Sequence, residues 1–303
     1  GRSASARRAG HQSPPEWRPV RIAFATCSDL PEGWEDDREA ARLAGAEFVV
    51  WDDPAVDWEA YDRVVVRSVW DYSARIEEFL GWCAVVGAER LRNRPELIAF
   101  DSDKRYLGDL GVRIAPTAFV GPGDPVPTLD GAVVVKPNVS AGARNTGRFA
   151  PPRHAEALAL VERIRASGRT AIVQSCLEDV GVNGETALAF LAGELSPVLH
   201  KKPVLREQGE APLGDGLHPA AAVMFEDDLV VACEADPVRR DFADEVMAAV
   251  TARFDTPLYA RVDVALDADG RPVLMELEAI EPNLYLATAR GAAERLARAV
   301  LDS

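Results

Sequence analysis

The sequence predicts an α+β fold that begins with a parallel α/β domain, and three observations support this prediction. Short β-branched segments alternate with helical patterns in the first third of the chain, an order that is typical of a parallel sheet. The last third is rich in strand patterns and contains a hairpin, Tyr259–Leu266 and Pro272–Glu278, across the turn DADG. At 303 residues, the chain has the length of about two domains.

The elements of the first domain follow from continuous apolar runs and helical spacing. Strands are predicted at residues 21–26, 47–51 and 63–69, and helices at residues 35–44 and 74–86. Asp71 or Ser73 is the expected N-cap of the second helix, since either side chain can accept a backbone hydrogen bond. The first strand leads into TCSDLPEG and not into Gly-x-Gly-x-x-Gly, and no P-loop motif occurs, so the sequence indicates neither a dinucleotide fold nor a P-loop fold.

The rest of the chain mixes helices and strands around two irregular segments. The predicted elements are a helix at residues 101–110, a strand at 132–136, a helix at 154–167, strands at 170–174, 187–191 and 196–200, the helix Pro237–Phe254 and a C-terminal helix at 289–301. A domain boundary is expected near residues 177–184, where EDVGVNGE interrupts the pattern. Residues 206–217 are polar and Gly-rich, and we expect a mobile loop there.

Composition and charge argue against several classes of protein. A hydrophobic content of 48% suffices for a packed core, and a net charge of −15 argues against a nucleic-acid-binding surface and against docking on anionic membranes. No apolar run approaches the roughly 18 residues that cross a bilayer. The four scattered cysteines lack Cys-x-x-Cys spacing, which favours reduced thiols in a cytoplasmic protein. Residues 1–19 are polar, Arg-rich and Pro-rich, and we expect a disordered extension there.

The stretch MELEAIEPNL places three carboxylates within six residues near the C-terminus. Glu276 and Glu278 fall on one face of a strand because side chains alternate, and on the partner strand Arg261 and Asp263 do the same. If the hairpin loop covers residues 268–271, Asp263 lies opposite Glu276 and Arg261 lies opposite Glu278. Carboxylates this close repel one another unless a cation joins them, and Mg²⁺ prefers such oxygen ligands. The alternative interpretation is the solvated outer face of an edge hairpin.

A second pattern points to phosphate. Only four of the 34 basic residues are Lys, at positions 104, 136, 201 and 202. A Lys that persists in such an Arg-rich chain marks a place where a compact ammonium fits better than a planar guanidinium. Lys136 ends a strand that leads towards the Gly-containing loop SAGARNTGR, residues 140–148, whose backbone N–H groups can surround phosphate oxygens. Four leftover lysines and a plain hairpin turn are the alternative interpretation.

The order of these features resembles that of the ATP-grasp ligases over about residues 95–290. The matching features are Lys104, the strand ending at Lys136, the Gly-rich loop, the strand VQSCL, the pair GE at 184–185 and the hairpin RVD…GRPVLMELE. The resemblance implies ATP and Mg²⁺ as cofactors and a three-lobed fold. Its lobes would be an N-terminal α/β domain on the substrate side at residues 20–100, a central ATP-binding lobe at 101–178 and a C-terminal metal-binding lobe at 179–303.

Carried over by position, the resemblance assigns roles towards ATP. The ATP-binding residues would be Lys104 and Lys136 on the phosphates, Ser140, Gly142 and Arg144 in the Gly-rich loop, Gln174, Cys176 and Leu177 around adenine, and Glu185 near the ribose. Lys201 or Lys202 would approach the transferred phosphate, and the residue types alone do not decide between them. Arg261 would stabilise the anion that develops during the reaction.

The resemblance also assigns the metal ligands, with one departure. Asp263 and Glu276 would bind Mg²⁺. The superfamily commonly ends this motif as Glu-x-Asn, whereas this chain has Glu278 at the last position. The third ligand is therefore either Glu278 itself or, in the neutral role, Asn283.

Two further segments, RSVWDY and RNRPELIAFDSDKRYL, together with ELEAIEPNL, resemble a narrower family, the cyclo-ligases that form cycloserine from O-ureido-D-serine. Arg67, Trp70, Asp71 and Tyr72 lie just past a parallel strand, where open α/β sheets bind ligands. An Arg would suit a substrate carboxylate and an Asp an ammonium, so we expect an amino-acid-like substrate, with Asn283 as a further contact. Core packing of Trp70 and Tyr72 and helix capping by Asp71 are the alternatives.

The resulting prediction is an ADP-forming ligase, in which ATP phosphorylates a substrate carboxylate and a nitrogen nucleophile attacks the acyl phosphate. In the cyclo-ligase reaction both groups belong to one molecule, so a ring closes and an antibiotic is made. An intermolecular amino-acid or peptide ligase of the same fold and a non-catalytic ATP-binding module are the alternatives. A metallohydrolase is disfavoured because the four His show no ligand spacing. The expected partner is a small molecule, without nucleic acid or membrane, and a homo-oligomer is left open.

Overall fold

The structure, a computed structural model, describes residues 19–211 and 228–303. The disordered extension predicted at residues 1–19 therefore lies outside the described residues, apart from Pro19. Within the described ranges, no helix combines the length and the apolar character that crossing a bilayer requires.

The N-terminal domain is a four-stranded parallel sheet. Its elements are β1 (Ile22–Thr26), α1 (Glu35–Ala44), β2 (Ala46–Val50), β3 (Arg63–Ser68), α2 (Ile76–Val86) and β4 (Leu91–Arg92). The strand order is β2-β1-β3-β4, and the strands pair in parallel. Every residue of β1 is buried, as is typical of a central strand covered on both faces. The predicted alternation of strands and helices is confirmed.

The start of α2 differs from the prediction. The helix begins at Ile76, after a 3-10 turn at Tyr72–Ala74, and its N-cap residue, Arg75, makes no side-chain capping bond. Asp71 also makes no capping bond to the 3-10 turn. The expected capping by Asp71 or Ser73 is therefore wrong, because the Asp71 carboxylate accepts hydrogen bonds from other side chains.

Two short helices take the place of the single helix predicted at residues 101–110. They are α3 (Pro95–Asp101) and α4 (Tyr106–Asp109). Pro95 stands in the first turn of α3, where its fixed φ and missing N–H are tolerated. Between the helices, the Lys104 N–H donates to the Asn138 carbonyl oxygen (2.8 Å) and not to a helical partner. The chain therefore leaves its helical path where it joins the next sheet.

The central lobe contains antiparallel strands covered by one long helix. Its elements are β5 (Thr117–Val120), β6 (Val133–Pro137), β7 (Gly147–Phe149), α5 (His154–Ala166), β8 (Ala171–Ser175) and α6 (Glu178–Asn183). The helix and strands predicted in this region are confirmed to within a few residues. The segment at residues 177–184, predicted as an irregular boundary, is helical as α6.

The C-terminal lobe carries most of the remaining strands. Its elements are β9 (Glu185–Leu191), β10 (Glu194–Lys201), β12 (Val230–Ala232), α7 (Pro237–Phe254), β13 (Tyr259–Leu266), β14 (Pro272–Glu278) and α8 (Ala292–Asp302). The short strand β11 (Gly209–Glu210) follows β10 in the chain but pairs with β7 in the sheet of the central lobe. The bounds of α7, β13 and β14 are those predicted. The mobile loop predicted at residues 206–217 lies outside the described residues beyond position 211, and its described part contains β11.

The two antiparallel sheets border the space that contains most of the predicted site residues. The central sheet has the order β11-β7-β6-β8-β5, and the C-terminal sheet has the order β12-β10-β9-β13-β14. The central lobe has a hydrophobic core of its own, which includes Val135, Phe149 and Leu160. In contrast, one core joins the N-terminal domain to the C-terminal lobe, since it contains Phe24 from β1 and Tyr259 from β13.

Candidate active site

The hairpin of β13 and β14 brings three carboxylates together in the predicted register. Asp263 pairs with Glu276 and Arg261 pairs with Glu278. One oxygen from each of Asp263, Glu276 and Glu278 lies within 4.8 Å of the other two. The side chain of Asp263 has 0% exposure, and those of Glu276 and Glu278 have 27% and 30%. This burial rules out the solvated outer face that the sequence left open. We call these three residues the carboxylate triad.

Arg261 and Lys201 provide most of the positive charge around Asp263. The guanidinium of Arg261 donates to both oxygens of Asp263 (2.8 and 3.0 Å) and also to Glu278. Lys201 Nζ lies 2.9 Å from Asp263 Oδ2 and 3.2 Å from Glu185 Oε2. Burial alone would raise the pKa of Asp263, but the two cations outweigh burial and hold its pKa well below the ordinary value. Asp263 is therefore ionised in the ligand-free protein.

The other two members of the triad differ in their electrostatic surroundings. Burial works against ionisation of Glu276, but Lys104 and then Lys136 outweigh it, and the pKa of Glu276 is lowered. Burial, with the repulsion of Glu276 and Asp263, raises the pKa of Glu278 to about 7 although Arg261 opposes this. The cations therefore favour the ionised forms of Asp263 and Glu276, whereas Glu278 is the member of the triad that they stabilise least.

Lys104 connects the triad to the Gly-containing loop. Its Nζ lies 3.0 Å from Glu276 Oε1 and donates to the Ser140 carbonyl oxygen at 2.7 Å. The loop itself contains left-handed backbone at Gly142 (φ 62°), Ala143 (φ 55°) and Asn145 (φ 50°). Successive N–H groups in turns of this kind form concave anion-binding surfaces. The loop predicted to hold phosphate is therefore fixed beside the triad by a buried ammonium.

A cleft with a volume of about 380 Å³ runs over the triad, between the two antiparallel sheets and the N-terminal domain. It brings together most of the residues that the sequence singled out. Those that line it are Trp70, Tyr72, Lys104, Lys136, Ser140, Gly142, Arg144, Gln174, Cys176, Leu177, Glu185, Lys201, Arg261, Glu276, Glu278 and Asn283. Asp263, which is fully buried, lies beneath this surface.

The entrance to β9 explains how Glu185 and Lys201 come to face the same space. Glu185 pairs with Lys201 across β9 and β10. Gly184 precedes them with φ +72°, and a Cβ there would lie 2.1 Å from the Lys201 carbonyl oxygen. Only glycine tolerates both the left-handed backbone and this close approach. Gly184 thus lets the adjacent strands bring Glu185 and Lys201 to the cleft.

Besides Asp263, three of the predicted site residues lie outside the cleft lining. Lys202 Nζ pairs with Asp228 at an exposed position, so of the two neighbouring lysines only Lys201 faces the site. Asp71 accepts from the Trp51 indole (3.0 Å) and from Arg75 (3.1 Å), so its charge is already used within the N-terminal domain. Neither residue is placed to meet the ligand that the sequence assigned to it.

Arg67 is also committed to the protein. Its side chain is 2% exposed and forms an ion pair with Asp37 (2.9 Å) while donating to the Pro282 carbonyl oxygen (2.8 Å). Its guanidinium also lies over the ring of Tyr259, 4.9 Å from the centroid. The predicted contact between Arg67 and a substrate carboxylate is therefore not supported, because the guanidinium is buried and already bound to groups of the protein.

Several cleft residues were missed by the sequence analysis. They include Trp34, Asp101, Arg148, Glu281 and Tyr285. Glu281 is the third carboxylate of MELEAIEPNL, so the signal was present, but it lies past the end of β14, where strand alternation gives no direction. The others come from turns, a strand and, for Asp101, the end of α3, without a distinctive pattern, and only the tertiary fold brings them to the cleft.

Comparisons with known proteins agree with this architecture. Residues 22–93 match the family described as the N-terminal domain of the D-cycloserine synthetase DcsG. The chain is 34% identical over 283 residues to the cycloserine biosynthesis protein DcsG of Streptomyces lavendulae, which covers 87% of this chain and 91% of that protein. A crystal structure of the D-cycloserine synthetase DcsG superposes with a TM-score of 0.79 at 31% identity and covers 93% of this chain and 99% of that one.

More distant structures share the fold. A D-alanine–D-alanine ligase from Bacillus anthracis in complex with ATP gives a TM-score of 0.59 at 13% identity, covering 94% of this chain and 96% of that one. A RimK domain ATP-grasp protein from Sphaerobacter thermophilus gives 0.61 at 18% identity, covering 93% of this chain and 100% of that one. These likenesses confirm the predicted ATP-grasp fold, and the DcsG relatives confirm the predicted ligase class. The chain belongs to the DcsG family of ATP-grasp carbon–nitrogen ligases.

Proposed function

We propose that this protein closes the ring of O-ureido-D-serine to D-cycloserine in an ADP-forming reaction that depends on Mg²⁺. The observation that carries the proposal is the carboxylate triad with Lys104, Lys201 and Arg261 around it, at the floor of one cleft. An anionic floor with fixed cations suits the transfer of a phosphoryl group, for which positioning and charge supply most of the catalysis. The names of the DcsG relatives support D-cycloserine as the product, and the substrate is the one that the sequence resemblance implies.

ATP would lie across the end of the cleft formed by the central lobe. The side-chain ammonium groups of Lys104 and Lys136 face this space, and the loop carrying Ser140, Gly142 and Arg144 borders it. We assign these residues to the phosphates, because buried ammonium groups and turn N–H groups attract oxyanions. Gln174, Cys176 and Leu177 would line the adenine pocket, with Glu185 towards the ribose.

The donor set fits a hard divalent cation. Asp263, Glu276 and Glu278 offer three carboxylate oxygens in a partly buried site, where burial and the other two carboxylates keep the pKa of Glu278 above its ordinary value. Mg²⁺ takes oxygen ligands and commonly shares them with phosphate. Bound there, Mg²⁺ would supply positive charge against the phosphate oxygens. Asn283 lines the same cleft but donates no carboxylate, so we favour Glu278 as the third ligand.

The chemistry balances in three steps. A carboxylate oxygen of the substrate attacks the γ-phosphorus of ATP, and ADP leaves with the bridging oxygen. The nitrogen bound to the side-chain oxygen then attacks the acyl phosphate carbon, so that a C–N bond forms and phosphate leaves with the proton of that nitrogen. The ring nitrogen still carries the carbamoyl group of the ureido unit, and its hydrolysis consumes one water and yields carbon dioxide and ammonia.

The chain's own residues would act on charge and position. Lys201, held between Asp263 and Glu185, faces the cleft and would orient the transferring phosphoryl group. Arg261 lines the cleft and would stabilise the negative charge that develops on the substrate carbonyl oxygen. The four free cysteines suit a reducing compartment, so we propose that the reaction takes place in the cytoplasm.

The test is ADP and phosphate release from Mg-ATP against a panel of amino acids that includes O-ureido-D-serine, with products identified by mass. Turnover of O-ureido-D-serine alone to a product with the mass of cycloserine is the expected result. Turnover only when two amino acids are present together would move the function to intermolecular ligation. Release of AMP in place of ADP would overturn the acyl phosphate mechanism, and ATP binding without turnover of any substrate would overturn the enzymatic role.

A further inference from the structure

The end of the cleft next to the N-terminal domain has a composition different from the ATP end. It is lined by the aromatic pair Trp34 and Trp70, whose ring centroids are 5.0 Å apart, and by Tyr72, Glu281 and Asn283. No Lys or Arg side chain of the described residues is ion-paired with Glu281. This end therefore presents aromatic rings and a carboxylate, whereas the ATP end presents lysines.

Glu281 is a cleft-lining carboxylate without a hydrogen bond or ion pair to any residue in the ranges 19–211 and 228–303. Burial raises its pKa well above the ordinary value, and the negative charge of Glu278 adds to the effect. Arg67 and Arg261 act in the opposite direction without cancelling it. Two guanidinium groups therefore lie near enough to influence Glu281, but no cation among the described residues forms an ion pair with it.

The two nearby guanidinium groups are already engaged. Arg261 donates to Asp263, to Glu278 and to the Asn283 carbonyl oxygen. Arg67 is held by Asp37 and a backbone carbonyl, and one of its nitrogens, Nη1, is buried without a hydrogen-bond partner. Neither guanidinium forms an ion pair with Glu281, so its carboxyl group is open to a partner that a ligand brings.

Two polar side chains of the same cleft lining, Tyr72 and Asp101, give a second, independent indication of a ligand. The side chain of Tyr72 is 8% exposed, lines the cleft and makes no hydrogen bond through its hydroxyl within the described residues. Asp101 is also 8% exposed, and its Oδ1 has no partner while Oδ2 accepts from the Ala279 N–H (2.7 Å). Polar groups of buried side chains are rarely left without partners, so their occurrence in the lining of one cleft indicates a ligand that supplies donors.

We propose that Glu281 binds the α-ammonium group of the amino-acid substrate, with the Tyr72 hydroxyl as a neighbouring acceptor. The assignment rests on the proposed function, since it deepens the description of the same site. An ammonium has three donors and a full positive charge. It therefore matches a carboxylate and a phenol oxygen that have neither a donor nor a cation as partner. The rings of Trp34 and Trp70 border the same space and favour a cation through their faces.

The chemistry of an amino acid sets where this group must lie. The α-carbon carries both the ammonium and the carboxylate that is phosphorylated, so the ammonium site must adjoin the triad. Glu281 satisfies this condition, because it follows Glu278 by three residues in the turn after β14 and lines the same cleft. It would thereby select α-amino acids over hydroxy acids and simple carboxylic acids, and would fix the orientation of the carboxylate for attack.

The experiment compares wild type, Glu281→Gln and Glu281→Asp with O-ureido-D-serine and with its analogue in which hydrogen replaces the α-amino group. In the wild type, removal of the amino group should lower kcat/KM about 10- to 100-fold, the range for a hydrogen bond to a charged group. In Glu281→Gln, KM for O-ureido-D-serine should rise by a similar factor, the preference for the amino substrate should collapse, and KM for ATP should not change. Glu281→Asp keeps the charge and should retain part of the preference.

Glu294→Gln, an exposed Glu→Gln change on α8, is the matched control and should behave as the wild type. The midpoint temperature of thermal unfolding of Glu281→Gln should be no lower than that of the wild type, because the change removes an uncompensated charge. If Glu281→Gln keeps the wild-type preference, or if Asp101→Asn loses it in its place, the inference is overturned while the proposed function stands. If the wild type turns over O-ureido-D-serine with no preference for the amino group, the inference also fails. If it turns over no amino acid at all, the proposed function and the inference fail together.

Discussion

Removing Asp37 should destabilise the protein strongly without acting on the chemistry directly. Asp37 is buried beneath the substrate end of the cleft, where its carboxylate accepts from Arg67 Nε at 3.0 Å and lies 2.9 Å from Nη2. The side chains are 3% and 2% exposed, so water cannot replace either partner. Asp37→Leu leaves the guanidinium buried, charged and without its counter-ion.

The expected cost follows from this burial. Breaking one side of a buried ion pair costs about 3–5 kcal/mol, which is a large part of the about 5–15 kcal/mol that stabilises a typical protein. The double variant Asp37→Leu/Arg67→Met removes both charges. It still loses the hydrogen bond from Arg67 to the Pro282 carbonyl oxygen, worth about 1–3 kcal/mol. The double variant should therefore be more stable than Asp37→Leu by roughly 2 kcal/mol.

This cycle is measured by urea unfolding of the wild type, both single variants and the double variant. Steady-state kinetics of the same four proteins then separates effects on stability from effects on function. At a temperature where all four are folded, Arg67→Met should leave KM for the amino-acid substrate within a few-fold of the wild type. The reasoning is refuted if Asp37→Leu costs less than about 1 kcal/mol and Arg67→Met raises that KM a hundredfold, which is about 2.7 kcal/mol. Arg67 would then be the substrate ligand that the sequence first suggested.

Three further predictions concern the site and its support. Glu276→Gln should reduce ADP formation about 100-fold or more, the usual effect of removing one fixed electrostatic group, and full activity would remove the metal assignment. Lys201→Met should show a similar loss while Lys202→Met, which breaks only an exposed pair, stays near wild type, and equal losses would contradict the assignment. Tyr106→Phe removes a buried hydroxyl that donates to the Leu277 carbonyl oxygen (2.9 Å) and accepts from the Leu277 N–H (2.8 Å). It should lower the free energy of unfolding by about 1–3 kcal/mol in urea titration, and an unchanged midpoint would contradict this.

The sequence predicted those parts of the site that depend on local geometry. The loop DADG sets the register of the hairpin, so alternation alone placed Asp263 opposite Glu276 and Arg261 opposite Glu278. The helix Pro237–Phe254 was also predicted with its bounds, because its apolar spacing is continuous and Pro237 stands in the first turn.

Contacts between distant parts of the chain could not be predicted from the sequence, and they account for the errors at Arg67 and Asp71. Arg67 meets Asp37, 30 positions earlier in the chain, and Asp71 meets Trp51, which lies in the turn just after β2. A charged residue at the end of a parallel strand looks free in the sequence, and only the fold reveals that another element already satisfies it. The opposite error occurred at Glu281, whose place in the cleft was missed. It lies in a turn, where no periodicity predicts the direction of its side chain.

The separate core of the central lobe determines which part of the molecule can move as a body. The N-terminal domain and the C-terminal lobe share a core, and Asn93 ties them further by donating to the carbonyl oxygens of Tyr259 and Ala279. Across the cleft, in contrast, the contacts are sparse: Arg144 donates to the Ser73 hydroxyl, Arg169 donates to the Ser73 carbonyl oxygen, and Ala141 packs on the N-terminal core. A hinge rotation of the central lobe would thus break few contacts and leave the triad and Glu281 in fixed relation. Nucleotide entry would then depend on the position of the central lobe. Substrate selection would depend on the N-terminal domain and the C-terminal lobe, which stay fixed relative to each other.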